Sequence, residues 1–190
     1  MEFELQPTLQ GELIEVRPLR PDDFEALFAV ACDPLIWEQH PESDRYQRAV
    51  FQKFFDGAIE SRGAIAVIDR RTGRIIGSSR YWNLKPLVSE VEIGWSFLAR
   101  EFWGGKYNGE LKKLMLEHAF RFVDRVLLIV GENNLRSQKA VRKIGGTFLR
   151  TESRPGSDGT LRENIVFTVT REGFESAQTG PATGHSALSR

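Results

Sequence analysis

The chain has almost no cysteine: Cys32 is the only one among 190 residues. No intrachain disulfide can form, which fits a reducing cytosol. It also lacks an excess of either charge, with 26 basic and 26 acidic side chains and a formal net charge of zero. Bulk attraction to nucleic acid or to an anionic membrane is therefore not expected. No apolar run is long enough to span a bilayer. The opening stretch, MEFELQPTLQGELIE, is acidic rather than apolar and does not read as a signal peptide. No cysteine–histidine cluster has metal-ligand spacing, so no metal is expected. No internal repeat is visible. What remains is the profile of a soluble, cytoplasmic globular protein. Hydrophobic residues make up 41% and charged residues 27%, and the length fits one domain with a real core.

Periodicity places the elements. LIEVRPLR (residues 13–20) reads as a strand. RPDDFEALFAVAC follows as a helix with Asp22 or Asp23 at its N-cap, and Phe24, Leu27, Phe28 and Ala31 at helical spacing. DPLIWEQHPESDR (residues 33–45) is a loop or broken helix, punctuated by Pro34 and Pro41. YQRAVFQKFFDGAIES is a second helix. AIAVIDRRTGRIIGSSRYW is a hairpin around Arg70–Gly73. VSEVEIGWSFL alternates, which predicts Val91, Ile93, Trp95 and Phe97 on one face and Glu90, Glu92, Gly94 and Ser96 on the other. A helix with Leu111, Leu114, Met115 and Phe122 on its apolar stripe comes next, then the apolar strand RVLLIVG. Strand, helix, strand in this order predicts a parallel pair. NNLRSQKAVRKIGG is a further capped helix that stops at Gly145-Gly146, and TFLRTES with LRENIVFTVT forms a last hairpin. Residues 175–190 have little to bury and are expected to be a disordered tail beyond a domain of residues 12–172.

The turn before the third helix, WGGKYNGE, is richer than a cap requires. A helix start offers four unpartnered N–H groups and a partial positive charge. Gly104 and Gly105 remove the Cβ atoms that would hold a ligand off, and Lys106 adds a formal charge. The stretch is either a tight turn or a phosphate cradle. It is not a P-loop, because no Ser or Thr follows the lysine at the required spacing. ATP hydrolysis is thereby disfavoured.

EVEIGWSFLAREFWGGKYNGELKKLMLEHAF, followed by VLLIVGENNLRSQKAVRKIGG, resembles the GNAT superfamily of acyl-CoA-dependent N-acyltransferases. It looks most like the branch containing the ribosomal-protein N-terminal acetyltransferases. There, a strand of E-I-G-[WY] type precedes a W-G-x-G-[YF]-[AG]-x-E loop that cradles the coenzyme A pyrophosphate, and an N-x-x-S-x-x-x-x-x-K-x-G motif follows. Trp103, Gly104, Tyr107 and Glu110 match the first motif; Asn134, Ser137, Lys143 and Gly145 match the second. The resemblance implies an α+β (mixed α/β) fold: a mostly antiparallel twisted sheet with one parallel βαβ pair and helices on both faces. Lys106 and Asn108 depart from the first motif, standing where the family has a glycine and a small residue. Many members also carry a tyrosine acid in the second motif; it falls at Val141 here.

What the resemblance implies for the site is specific. Acetyl-CoA is the cosubstrate. Its pyrophosphate would meet Trp103, Gly104, Gly105, Lys106, Tyr107, Asn108 and Gly109, with Asn134, Arg136, Ser137 and Lys139 contributing from the second motif. The strand splays from its parallel neighbour, which puts an oxyanion-donating backbone N–H among Trp95, Phe97 and Leu98. Glu92 is the candidate general base, or else an ordinary strand glutamate. Ser137 is the candidate hydroxyl for the thiolate or pantetheine arm, or else a helix cap. Trp37, His40 and Arg45, with Tyr81, are the candidate acceptor-binding residues. His40 is an alternative base, or a capping histidine beside Pro41. His118 reads as structural. The expected reaction is direct acyl transfer to an amine-bearing acceptor: a protein N-terminus, an amino acid, a polyamine or a drug. A homodimer is the candidate assembly. A non-catalytic coenzyme A-binding module is the second reading, motivated by Lys106, Asn108 and Val141.

Overall fold

Eight strands form one sheet: β1 Leu9–Gln10, β2 Ile14–Pro18, β3 Ala64–Asp69, β4 Ile75–Lys85, β5 Glu90–Leu98, β6 Arg125–Gly131, β7 Thr147–Pro155 and β8 Leu161–Thr170. Among the described residues five α-helices accompany them: α1 Phe24–Ala31, α2 Arg48–Glu60, α3 Lys106–Ala119, α4 Leu135–Lys143 and α5 Arg171–Thr179. The structure, a computed structural model, describes residues 2–156 and 158–179. The strand order is β1-β2-β3-β4-β5-β6-β8-β7. Every pairing is antiparallel except that of β5 with β6.

The two faces of the sheet carry different cores. In β3, Ile65 and Val67 pack against α3, while the alternate Ala64 and Ala66 face α1 and α2. Small alanines suit the second face because α1 and α2 press aromatic rings there, with Phe51 and Phe55 of α2 on one helical stripe. Each buried ring of this kind contributes about 1.5–3 kcal/mol. On the first face α3 buries Leu111, Met115, Leu116 and Ala119, and α4 and α5 add Val141, Ile144 and Phe174. Helices therefore cover both faces, as the resemblance implies.

Three details differ from the sequence expectation. First, the alternation along β5 breaks. Val91 and Ile93 join the α3-side core, but Phe97 joins the α1–α2 side. The pairing with β4 runs Arg80 to Gly94 and then Ser78 to Phe97, so β5 carries one extra residue, and Trp95 sits there with φ of 52°. A bulge flips the pleat beyond it. Second, neither Asp22 nor Asp23 caps α1 through its side chain. Asp23 stands at the cap position, but its carboxylate instead accepts two bonds of 2.7 Å from Arg17 and one from the Arg20 N–H. Third, order does not end at residue 174: α5 runs to Thr179 and buries Phe174. The remainder of the expected tail, 180–190, lies outside the described residues.

Candidate active site

The parallel ladder between β5 and β6 is short. Glu90 to Glu92 pair with Arg125 to Leu127, and no further residues of β5 pair with β6. β5 then stays with β4 as far as Leu98, whereas β6 stays with β8 as far as Gly131. The strands part, and the bulge at Trp95 turns β5 away. A residue outside glycine with positive φ costs on the order of 1–3 kcal/mol. Trp95 is held there by the Arg80 guanidinium, 4.6 Å from its ring centre, and by Trp82 edge-on at 6.2 Å.

A cavity of about 140 Å³ fills the gap. Its strand walls are Ile93 to Ser96 and Leu128 to Gly131. Asn108 and Lys112 enter from α3, and Asn134, Ser137 and Val141 from α4. Trp37, His40 and Arg45 close it from the connection between α1 and α2. That connection is seated on β6 through Pro41; a Cβ at Gly131 would come within 2.5 Å of its ring. The cavity thus gathers residues from five parts of the chain, among them seven of the sequence candidates.

The cavity adjoins the start of α3, where no side chain caps the helix. Gly104 has φ of 68°, and a Cβ there, or at Gly109, would meet nothing within 4 Å. The turn into this 14-residue helix is therefore open at Gly104 and Gly109, beside exposed Lys106. Such a helix start favours an anion.

The motif side chains around this start are largely committed to structure. Trp103 donates from Nε1 to the Leu98 carbonyl at 2.9 Å. Tyr107 turns to Asp69, its hydroxyl 3.2 Å from Oδ1, and packs on Phe102. Glu110 accepts the backbone N–H groups of Glu12, Leu13 and Ile14 at 2.5, 2.8 and 2.9 Å, tying α3 to β2. Phe97 and Leu98 are buried, so only their backbone is left to meet a ligand. Arg136 lays its guanidinium 3.8 Å over the Trp103 ring and donates to the Ile36 carbonyl. It is occupied in bracing the loop, not solvated. Lys139 is exposed. Asn134 caps α4 by accepting the Ser137 N–H at 3.1 Å, so the Ser137 hydroxyl is not the cap.

Two acceptor candidates change meaning. Tyr81 is fully buried on the α3 side, and its hydroxyl donates to the Met115 carbonyl at 2.6 Å. It is a core residue: β4 alternation points it away from the α1–α2 face. His40 lines the cavity but is poorly suited as a base. Its Nδ1 lies 2.9 Å from the Glu42 N–H and its Nε2 3.2 Å from the Arg45 guanidinium, so both ring nitrogens face donors. Burial, with the Arg45 charge, drops its pKa to about 3, so it stays neutral. Arg45 pairs with Glu42.

Glu92 is 4% exposed, and its carboxylate lies against the Arg154 guanidinium at 3.2 Å. Burial raises its pKa, and Arg154 opposes that rise. A Cβ on Gly94 would stand 3.6 Å from Glu92 Oε1, so the carboxylate lies beside the parting of the strands. His118, also buried, meets the Glu4 carbonyl from Nε2 at 2.8 Å. Cys32 is exposed at the end of α1, outside the cavity lining. Among the described residues no group of three His, Cys, Asp or Glu could hold a metal, and no helix is long and apolar enough to cross a membrane.

Two residues of this region had escaped the sequence. Lys112 lies on the buried stripe of α3, 7% exposed, yet opens into the cavity and donates from Nζ to Ser96 Oγ at 2.5 Å. Arg80 is also 7% exposed, lies between Trp95 and Phe54, and buries Nε without a partner. A lysine at an apolar spacing was the available signal for the first. The second sits in an alternating strand with no signal of its own.

The Acetyltransferase (GNAT) domain family matches residues 14–147 of the chain. Among solved structures, a GCN5-related N-acetyltransferase from Brucella melitensis superposes with a TM-score of 0.77 at 20% identity, covering 91% of this chain and 82% of that one. RimJ of Mycobacterium smegmatis, solved in complex with CoA-disulfide, gives 0.66 at 18% identity over 84% and 82%. The ribosomal-protein-S5-alanine acetyltransferase from Vibrio fischeri gives 0.65 at 14% identity over 88% and 98%. At these identities the likeness to the solved structures is one of fold.

Proposed function

Because the chain belongs to the GNAT acetyltransferase family, and because its parted strands open onto an uncapped helix start, we propose that it transfers an acyl group, acetyl above all, from coenzyme A to a primary amine. The observation that carries this reading is the continuity between the two features. One elongated ligand, anionic at one end and carrying a thioester at the other, suits both. The pyrophosphate sits over the N–H groups at the start of α3, above Gly104 and Gly105, with Lys106 and Gly109 alongside. The pantetheine arm runs past Asn108, Asn134 and Ser137. The thioester carbonyl meets the backbone of the bulge in β5, which acts as the oxyanion donor. Glu92 takes the proton from the acceptor amine, directly or through water. The amine attacks the thioester directly; Cys32, the single thiol, is outside the cavity lining.

Trp37, His40 and Arg45 wall the acceptor side. Arg80 supports a narrower reading. It stacks on Trp95, outside the cavity lining, with no carboxylate partner among the described residues, and burial, with the Arg45 charge, lowers its pKa to about 10. With Arg45 in the lining and Arg80 beside it, the positive charge suits an acceptor with a carboxylate near its amine better than a polyamine. The test is calorimetry with coenzyme A, then turnover of acetyl-CoA against a panel of amino acids, peptide N-termini, polyamines and amino sugars. Binding without turnover of any amine would favour the non-catalytic reading. Absence of binding, or preference for a polycation, would overturn the corresponding half of the proposal.

A further inference from the structure

The proposed chemistry leaves one buried ionisable group of the cleft without a task. Lys112 projects from the second turn of α3 into the cavity. Its ammonium donates to Ser96 Oγ, and that oxygen shares a second hydrogen bond, 2.6 Å long, with Ser79 Oγ. An ammonium carries three N–H donors, so two remain beyond the serine. No carboxylate of the described residues pairs with it, and burial alone brings its pKa down to about 8.

The surroundings isolate it as a proton donor. β5 and β4 face it with the neutral hydroxyls of Ser96 and Ser79. β6 lines the cleft with Leu128 to Gly131, and α4 with Asn134, Ser137, Ala140, Val141 and Ile144, none of them ionisable. The connection before α2 brings His40 and Arg45. His40 is neutral and its Nδ1 is occupied; Arg45 is paired with Glu42. Of the ionisable side chains lining the cavity, Lys112 alone exchanges a proton near neutral pH.

We propose that the Lys112 ammonium protonates the coenzyme A thiolate as it leaves, with Ser96 and Ser79 holding the ammonium in place. This rests on the acyl-transfer reading above. The neutral acceptor amine attacks the thioester carbonyl carbon; a C–N bond forms and the carbonyl π pair moves onto oxygen. The nitrogen, now cationic, gives a proton to the base. The C=O bond re-forms, the C–S bond breaks, and its electron pair leaves on sulfur. Lys112 passes a proton from Nζ to that sulfur, giving the free thiol, and is reprotonated from solvent. The bulge that receives the carbonyl includes Ser96, so the sulfur bonded to that carbonyl lies within reach of the lysine bonded to Ser96. A thiol has an unperturbed pKa of about 8.5, so proton transfer from this lysine is nearly balanced in energy.

The experiment titrates the thiol of bound coenzyme A by its ultraviolet thiolate absorbance in wild type, Lys112→Met and Lys112→Arg. It is followed by pH–rate profiles for acyl transfer. A neighbouring ammonium lowers the bound thiol's pKa, so Lys112→Met should raise it by about one unit or more. Its rate at neutral pH should fall roughly tenfold to a hundredfold, with loss of the limb that declines above pH ~8 in wild type. Lys112→Arg should restore the thiol shift but not the rate, because a guanidinium holds its protons. Full restoration of the rate by arginine would overturn the proton-donor role. Equal thiol pKa values in wild type and Lys112→Met, with coenzyme bound to both, would overturn the assignment and leave the acyl-transfer reading standing. Failure of wild type to bind coenzyme A would instead overturn that reading itself.

Discussion

Glu110 and Lys112 stand two residues apart on α3, and the fold treats their charges in opposite ways. The Glu110 carboxylate receives three backbone N–H groups from the segment entering β2. Gly11 leaves the space for it; a Cβ there would fall 2.5 Å from the carboxyl carbon. Lys112 is buried with a single serine hydroxyl and, among the described residues, no counter-charge. A charge that is fully bonded explains itself by stability. A charge that is buried and unpaired costs stability, and its presence asks for a function.

The comparison is broken most forcefully at Glu110. Replacing it by alanine leaves the N–H groups of Glu12, Leu13 and Ile14 without their acceptor, and detaches α3 from β2. Three bonds to a charged acceptor predict a loss of about 4 kcal/mol in urea unfolding. A loss below 1 kcal/mol would mean that water replaces the carboxylate freely.

Lys112 should move the other way. Its pKa falls from 10.5 unfolded to about 8 folded. Burying the ammonium therefore destabilises the native state at every pH below about 8, by on the order of 3 kcal/mol. Between pH 8 and 10.5 the unfolded chain binds the extra proton, so stability rises with pH and the penalty vanishes. Lys112→Met, similar in length and apolar, should be more stable than wild type at pH 7 and equal to it near pH 10.5. Thermal melts at the two pH values check this. A variant no more stable at pH 7 would show that water in the cleft already solvates the ammonium.

Glu110 and Lys112 also mark what the sequence could tell. The order of strands and helices, the parallel pair, the glycine turn and the Asn134 cap were legible, because they depend on local periodicity and turn chemistry. The role of Glu110 was not: its partners lie nearly a hundred residues away in sequence. The bulge at Trp95 was hidden by an alternation that runs unbroken through it, so Phe97 was assigned to the wrong face. Tyr81 was misplaced because a tyrosine in an alternating strand fits either a wet pocket or a core with one carbonyl to receive its hydroxyl. Arg136 stands among the expected coenzyme contacts, since no pattern announces a ring waiting 3.8 Å away. Lys112 is the reverse case: a violation of pattern that was visible as a lysine among Leu111, Met115 and Leu116.

Glu92 sharpens the contrast from the other side of the cleft. It too is buried, but Arg154 faces it, so its charge is balanced. If it is the base, Glu92→Gln should lower the rate about a hundredfold near neutral pH, equivalent to just under 3 kcal/mol at the barrier. Coenzyme affinity should be unchanged, because the start of α3 lies beyond the end of β5. The defect should shrink as pH rises, since the free amine then forms without help. A mutant with wild-type kcat/KM throughout would leave Glu92 as the structural partner of Arg154.

The smallest effect belongs to Lys106, which supplies the exposed counterpart of Lys112 on the same helix. Its side chain is solvated, with no partner among the described residues, at the mouth of the open glycine turn. An exposed charge pair is worth about 0.2–1 kcal/mol, so Lys106→Ala should weaken coenzyme A binding only a few-fold. The helix N–H groups, which the mutation does not touch, retain most of the affinity. What identifies an ionic contact is its response to salt. At ~0.01 M ionic strength the screening length is about 30 Å, and at 1 M about 3 Å. The few-fold loss should therefore be present in dilute buffer and disappear in concentrated salt, where wild type and variant bind alike. Calorimetry at the two ionic strengths decides it. An equal loss at both would show that the lysine contributes through its backbone or its packing. The pyrophosphate would then be held by the bare helix start alone.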